Sequence, residues 1–301
     1  MTLAAEAPSA GNTNPLSDTT GISRIVCKTF SEYIAATEGY NFKTISFDTE
    51  TKRQPRINWY AIEMVGFSFF ANKQWAVYVD FDSFTPQDKT ATLELLRTQL
   101  AACSLLIMHN APFDLKVLAK YDIWPKCELF DTMVASHLLD ENRVDKRVGG
   151  KGHSLKQLAV EFLNADIKKY KEAEAAGIHS ELFYEYAQND AIFTYQLCSI
   201  FMPFLKEQDL VKLFREIEMP FQRVLANMEM NGVLVDRERI ARDTETLKQR
   251  VVALEERLLM ILDEPYEAQH DLFGNKTIKS KINFGSPKQL AAIVFDRLGL
   301  P

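Results

Sequence analysis

One short segment near residue 45 constrains most strongly how this chain can fold. Ile45-Ser46-Phe47 is β-branched and aromatic, and it ends in two carboxylates, Asp48 and Glu50, one residue apart. Side chains at positions i and i+2 of a strand point to the same face, so these carboxylates would converge at the end of a buried strand. Like charges so close together repel unless a cation lies between them, and Mg²⁺ takes oxygen ligands. The segment therefore predicts a buried strand that ends in a candidate cation site.

The order of strand and helix patterns predicts a mixed α/β sheet flanked by helices. Three strands are predicted in succession: Thr44 to Thr49, Glu63 to Phe70 and Gln74 to Asp80. Asn72-Lys73 lies in the connection between the last two strands and predicts a hairpin. Helix and strand patterns then alternate as far as Leu139, and one long helical run extends from Ser180 to about Lys206.

The pattern changes at Glu216, where an amphipathic helix is predicted to end at Asn231-Gly232. Asp236 then precedes a longer helix with apolar positions at near-heptad spacing, for which it can serve as the N-terminal cap. A lone helical hairpin has little to bury that apolar stripe against, so the second domain is expected to be cut short. The predicted organisation is a disordered leader over 1–21, an α/β domain over 22–205 and an all-α segment over 206–301.

Composition indicates a soluble globular protein. Hydrophobic residues make up 47% and charged residues 25% of the 301 residues, and no apolar run approaches the length of a membrane span. The four cysteines are scattered without metal-ligand spacing, which favours reduced thiols and a cytoplasmic location. The net charge of −6 argues against a nucleic-acid partner, but only weakly, because a carboxylate metal site itself contributes negative charge.

Two further segments supply what a two-metal site needs. Asp114 follows a buried strand and a Pro112 that opens a helix, and Tyr186 and Asp190 are four residues apart on one helix face. Taken alone, each of the three segments has an ordinary explanation. The Asp48–Glu50 pair would be a solvated strand end, Asp114 a residue at a helix start, and Tyr186 and Asp190 part of a half-buried helix face. Their joint occurrence favours a site in which two divalent ions activate a water and stabilise a leaving oxygen during phosphodiester hydrolysis.

At this point the sequence resembles the DnaQ-like, or DEDD, 3′–5′ exonucleases. Their three motifs are matched by Phe47-Asp48-Thr49-Glu50, by Asn110 through Asp114, and by Tyr186 through Asp190. The tyrosine of the third motif is typical of the DEDDy branch. Asp131-Thr132-Met133 and His153 through Ala159 also resemble segments that lie between the second and third motifs. The resemblance covers roughly residues 22 to 205 and implies a ribonuclease H-like fold.

The resemblance also implies roles for individual residues. Asp48, Glu50 and Asp190 would hold one metal ion, Asp48 would bridge to a second, and Asp114 would support the second ion largely through water. Tyr186 and Glu50 would orient the nucleophilic water. The implied cofactors are two Mg²⁺ or Mn²⁺ ions. For Asp131, a helix cap is favoured over a metal ligand.

The last third of the chain resembles the entry to the polymerase domain of family A DNA polymerases, the DNA polymerase I type. The resemblance is carried by residues 218–236, and by Ile282 through Leu290 with Phe295 through Pro301, which are similar to that family's thumb segment. Residues that bind the nucleotide in that family lie beyond this point, so the chain is expected not to polymerise alone. The remainder of the polymerase would be supplied in cis or as a separate chain.

The function predicted is metal-dependent 3′–5′ exonuclease activity on single-stranded DNA ends, as the proofreading part of a bacterial or phage-type family A polymerase. Single-stranded 3′ ends and primer-template DNA are the expected partners, with no membrane. Predicted DNA contacts are Thr49, Asn110, Phe113, Lys279, Lys281 and Lys288. Phe113 and Phe47 could stack on terminal bases, but core packing is favoured for both. A solvated basic loop is the alternative for each lysine. A ribonuclease D-like RNA-trimming enzyme and a non-catalytic polymerase-docking module are the rival functions.

Overall fold

The structure is a computed structural model, and it describes residues 21–52, 61–71, 74–143, 152–165, 170–270 and 276–300. The predicted disordered leader, apart from its last residue, and the predicted Asn72-Lys73 connection lie outside these ranges. The chain divides between Gly232 and Val233 into two compact units. No helix in the described ranges is both long enough and apolar enough to cross a bilayer.

Six strands of the first unit form one mixed sheet. They are β1 (Arg24–Cys27), β2 (Thr44–Thr51), β3 (Met64–Phe70), β4 (Ala76–Val79), β5 (Leu105–Met108) and β6 (Glu128–Asp131). Their order across the sheet is β1-β4-β3-β2-β5-β6. β3 runs antiparallel to β2 and β4, whereas β1 is parallel to β4 and β5 is parallel to both β2 and β6. The predicted mixed sheet is confirmed, with β2 at an interior position.

Helices flank this sheet. They are α1 (Phe30–Thr37), α2 (Pro86–Ala101), α3 (Ala111–Ala119), α4 (Thr132–Leu139), α5 (Leu155–Leu163), α6 (Tyr170–Ala176), α7 (Glu181–Glu207), α8 (Val211–Leu213), a π-helix (Phe214–Glu218) and α9 (Met219–Asn231). Side-chain caps fix several of their starts. The Ser180 hydroxyl accepts a hydrogen bond from the backbone N–H of Phe183 and thereby begins α7.

The two faces of β2 differ in character. Phe47 is buried on one face and stacks on Phe67 with ring centroids 5.6 Å apart, so its predicted core packing is confirmed. The opposite face carries Asp48 and Glu50, whose cross-strand neighbours on β3 are the small residues Ser68 and Gly66. This contrast leaves room above the carboxylates for another element.

Helix α7 fills that room and lies close to the sheet. Ser46 Oγ donates to the carbonyl oxygen of Ala191 at 2.6 Å, and Ser68 Oγ donates to that of Ala187 at 2.8 Å. Ala187 and Ala191 are fully buried. Small side chains on the helix and hydroxyls on the strands allow this approach, which brings Asp190 next to the end of β2.

Helix α9 belongs to the first unit and packs against α3. The buried Lys116 on α3 forms an ion pair with Glu229 on α9. Arg223 of α9 donates a hydrogen bond to the carbonyl oxygen of Pro125 at 3.2 Å. The amphipathic helix predicted from Glu216 thus packs against the sheet domain. It ends at Asn231 and is followed by the cap residue Gly232, which has a φ of 67°.

The second unit needs one correction to the expectation of an all-α segment. It contains α10 (Arg237–Ile261), β7 (Tyr266–His270), β8 (Lys276–Ser280), α11 (Pro287–Ala291) and a π-helix (Ala292–Arg297). β7 and β8 form an antiparallel pair. Most of their side chains are exposed, so neither strand has the buried apolar face on which a strand prediction from sequence depends. The predicted Asp236 cap is confirmed, since its carboxylate accepts from the Arg239 N–H at 2.9 Å.

Candidate active site

Three carboxylates meet where the end of β2 faces α7. Asp48 and Glu50 come from β2 and Asp190 from α7, and each offers one oxygen such that these oxygens lie within 4.8 Å of one another. They line a pocket of about 380 Å³. The i, i+2 spacing on the strand and the close approach of α7 together produce this cluster.

Asp114 lines the same pocket from the first turn of α3, and Thr49 holds its carboxylate. Oδ1 of Asp114 accepts a hydrogen bond from the Thr49 backbone N–H at 2.8 Å and from the Thr49 hydroxyl at 2.6 Å. Both residues are buried. Thr49, predicted to contact DNA, therefore lines the same pocket and orients the Asp114 carboxylate through its buried hydroxyl. A DNA contact by Thr49 stays a prediction.

Asp131 fixes the start of α3 as well as the start of α4. Its Oδ1 accepts from Met133 N at 2.8 Å, which caps α4 and confirms the predicted helix-cap role. Its two oxygens also accept from Asn110 N at 3.1 Å and Ala111 N at 2.7 Å. Asn110 is in the left-handed conformation, with a φ of 65°, and this tight turn aims the first turn of α3 at the pocket.

Unbalanced negative charge is the main electrostatic property of the site. Burial raises the pKa of Asp48 to about 6, opposed by the positive charge of Lys156. Burial also raises the pKa of Glu50 well above its usual range, and the neighbouring Asp48 raises it further. Burial and Asp48 together raise the pKa of Asp114, while its hydrogen bonds from Thr49 oppose the rise. A bound cation would relieve each of these effects.

Lys156 is one of two site residues for which the sequence predicted no role. It lies in the first turn of α5, and its ammonium forms an ion pair with Oδ1 of Asp190. The same Nζ lies 3.9 Å from the centroid of the Tyr186 ring. Burial lowers the pKa of Lys156 to about 8, opposed by Asp48 and Glu50. The sequence did contain a signal, because Lys156 lies in the segment His153 through Ala159 that forms part of the family resemblance. No role was predicted for any residue of that segment.

His109 was also missed, although it immediately precedes the second motif. Its Nδ1 lies 2.8 Å from the hydroxyl oxygen of Thr132. Within the described residues, its buried Nε2 has no hydrogen-bond partner. Burial lowers the pKa of His109 to about 3, so the ring is neutral near pH 7. Its position in the pocket wall makes it part of the site's apolar and neutral lining.

The remaining predicted site residues fall into two groups. Tyr186, Asn110 and Phe113 line the pocket together with the carboxylates. The three predicted lysines belong to the second unit, where Lys279 lies on β8, Lys281 follows it and Lys288 lies on α11. All three are exposed. Their contact with DNA stays a prediction.

The donor set fits a hard divalent cation. All of its clustered ligand atoms are carboxylate oxygens, and such oxygens are what Mg²⁺ and Mn²⁺ bind in proteins. Asp48, Glu50 and Asp190 are the side chains able to share one ion, and Asp114 is available at the same pocket. A tyrosine beside these oxygens adds a hydroxyl that can orient a water molecule.

The chain is similar in sequence to known proteins. A family model for the 3′-5′ exonuclease of family A DNA polymerases matches residues 24–206. DNA polymerase I of Borreliella burgdorferi is 29% identical over 265 residues, which are 86% of this chain and 26% of that protein. The chain thus spans about a quarter of the length of this curated relative.

Solved structures show the same fold. The POL domain of Pol1 from M. smegmatis, in complex with DNA primer-template and dNTP, matches with a TM-score of 0.58 and 21% identity, over 93% of this chain and 41% of that one. Escherichia coli RNase D, an exoribonuclease, matches with a TM-score of 0.52 and 16% identity, over 76% of this chain and 56% of that one. Because the family model covers well over half of the chain, the chain belongs to the 3′-5′ exonuclease family of the DNA polymerase I type.

Proposed function

We propose that this chain is a divalent-metal-dependent 3′–5′ exonuclease that removes nucleotides from single-stranded DNA ends, as the proofreading part of a family A DNA polymerase. The observation that carries the proposal is the cluster of Asp48, Glu50 and Asp190, whose oxygens lie within 4.8 Å of one another in a pocket that also contains Asp114 and Tyr186. Support for DNA as the substrate comes from the curated relatives, which are DNA polymerases.

Each side chain of the pocket has a proposed task. Asp48, Glu50 and Asp190 would hold one divalent ion. Asp48 would also hold a second ion, which Asp114 would support largely through water, and Thr49 orients the Asp114 carboxylate through two hydrogen bonds. When bound, two divalent ions supply an activated water and stabilise the departing oxygen. The Tyr186 hydroxyl and the Glu50 carboxylate, which line the same pocket, would orient the nucleophilic water. Asn110 and Phe113, at the wall of the same pocket, contact the terminal nucleotides.

Selectivity for errors follows from single-strand binding. A mispaired primer end unpairs more readily than a paired one, so a site that accepts only an unpaired 3′ end removes mismatches preferentially. Residues 22–205 form the exonuclease domain in this proposal, and residues 206–301 are the start of a polymerase domain. The basic residues Lys279, Lys281 and Lys288 would meet duplex phosphates there.

The test is shortening of a 5′-labelled single-stranded oligonucleotide in Mg²⁺. We expect Asp48→Asn to reduce the rate by ~100-fold or more, since even a residue that only supports a metal ligand typically contributes 10–100-fold. Asp209→Asn is the matched control, because Asp209 is exposed and has a positive φ of 56° that asparagine tolerates. Circular dichroism checks that both variants fold.

Four outcomes would contradict the proposal. Full activity of Asp48→Asn would refute the site. Faster shortening of RNA than of DNA of the same sequence would favour a ribonuclease D-like enzyme. Shortening that persists in EDTA would refute metal dependence, and no shortening of either substrate in Mg²⁺ or Mn²⁺ would favour a docking module.

A further inference from the structure

The ion pair between Lys156 and Asp190 has no place in the proposed chemistry so far, although it lies inside the carboxylate cluster. The ammonium is held by Asp190 on one side and lies 3.9 Å from the centroid of the Tyr186 ring on the other. The Lys156 side chain is about one-quarter exposed, and its long aliphatic stem allows the ammonium to reach more than one partner. Lys156 thus contacts two residues to which the proposed function gives tasks.

The charges of the site suggest what this ammonium does. Four carboxylates, Asp48, Glu50, Asp114 and Asp190, balance the charge of two divalent ions. Ions bound at Asp190 would repel an ammonium at the same oxygen, so Lys156 cannot keep its partner once the site is loaded. A phosphodiester brings one further negative charge, and Lys156 is the cation that the described residues place beside the cluster. A point charge on a flexible stem is well suited to bind a phosphate oxygen.

We propose that Lys156 is a substrate-contacting residue that exchanges partners: its ammonium pairs with Asp190 in the metal-free site and moves to the phosphate of the terminal nucleotide when the site is loaded. The inference rests on the proposed function for its second half. Its first half concerns only the carboxylates and does not depend on the substrate. No bond forms or breaks in the exchange, because it transfers one ion pair from a carboxylate to a phosphate.

The first experiment measures Mn²⁺ binding by isothermal titration calorimetry without any oligonucleotide. Lys156→Met keeps the length and packing of the side chain but removes its charge. We expect this variant to bind Mn²⁺ roughly tenfold more tightly than the wild type, because the ammonium no longer competes for Asp190. Lys156→Arg keeps the charge and should remain close to the wild type.

The second experiment measures turnover of a 5′-labelled single-stranded oligonucleotide at saturating Mn²⁺. We expect kcat/KM of Lys156→Met to fall by about tenfold or more, because a charge-assisted contact to the phosphate is lost, and Lys156→Arg to recover part of it. Lys43→Met is the matched control. Lys43 is exposed and precedes β2 at the end opposite Asp48, ~16 Å away along an extended strand.

Different results would overturn the two parts of the proposal, the exchange of partners at Asp190 and the contact with the phosphate. Unchanged or weaker Mn²⁺ binding by a folded Lys156→Met would overturn the exchange, even if the wild type is an active exonuclease. Tighter Mn²⁺ binding with an unchanged kcat/KM would overturn the phosphate contact. A wild type that binds Mn²⁺ and leaves DNA and RNA intact would refute the proposed function, and the phosphate contact with it, while the Mn²⁺ titrations still decide the exchange.

Discussion

The hydrogen bond from the Thr49 hydroxyl to Asp114 offers a direct way to separate positioning from metal binding. Thr49→Val removes the hydroxyl donor and replaces it with a methyl group of similar size on the same β-branched side chain. The backbone N–H of residue 49 remains 2.8 Å from Oδ1, so Asp114 keeps one of its two Thr49 hydrogen bonds. Thr49→Ser is the matched control, since it keeps the hydroxyl and loses only a methyl group.

The size of the effect depends on the charge of Asp114. A hydrogen bond to a neutral group contributes about 0.5–1.5 kcal/mol to the free energy of unfolding, and one to a charged group contributes ~1.5–3 kcal/mol. The hydroxyl favours the ionised carboxylate, so its removal raises the pKa of Asp114 beyond the increase that burial and Asp48 already cause. We therefore expect Thr49→Val to cost about 1 kcal/mol in acid and ~2–3 kcal/mol at alkaline pH.

Urea unfolding of the metal-free protein at several pH values measures these costs, and the oligonucleotide assay measures the effect on activity. A misoriented Asp114 should lower the Mg²⁺-dependent rate by ~10–100-fold. Thr49→Ser should lose about 0.8 kcal/mol at every pH for its missing methyl group and retain most of the activity. The reasoning would be refuted by a Thr49→Val cost that does not grow with pH, or by equal losses of activity in the two variants.

Two further predictions concern the surroundings of the site. Because burial lowers the pKa of His109 to about 3, from about 6.5 in an unfolded chain, its contribution to stability is complete above pH 6.5 and is lost as the pH falls toward 3. Between pH 7 and pH 5 the wild type should lose about 2 kcal/mol more than His109→Asn in urea titrations, and parallel losses would contradict the buried neutral ring. A Cβ at Gly66 would overlap the buried Tyr78 hydroxyl, so Gly66→Ala should cost ~1–3 kcal/mol and Tyr78→Phe should recover part of it. Strictly additive costs of these two substitutions in thermal melts would show that the two groups do not meet.

Several strands of the first unit could be predicted because they are nearly continuous apolar runs. All seven residues of β3 and all four of β4 are buried, and such runs bounded by polar residues indicate interior strands. The carboxylates of β2 and α7 were predictable for a related reason, since strand and helix periodicity fix which side chains share a face. The periodicity of a single strand or helix was therefore enough to predict which of its side chains are buried and which share a face.

The parts that were missed depend on contacts between distant segments or lack a local signal. Lys156 is an ordinary first-turn lysine until α5 and α7 bring it to Asp190, which is 34 residues further along the chain. Thr49 is an ordinary strand residue in the sequence. Only the placement of α3 reveals that its hydroxyl donates a hydrogen bond to Asp114. The exposed β7 and β8 pair through backbone hydrogen bonds with little burial, so hydrophobic patterning could not predict them.

The alternation along β2 has a consequence for how this chain can vary in length. Ser46 and Asp48 face α7, while Phe47 and Thr49 face the other side, and each set is engaged in different contacts. Deleting or inserting one residue within β2 would turn both sets over at once, putting an aromatic ring against α7 and a carboxylate into the apolar core. Substitutions can test one side chain at a time, whereas an odd-numbered length change inside this strand would remove catalysis and folding together. Changes in length are therefore expected to accumulate in the connections between strands, and β2 to keep a constant length among functional relatives.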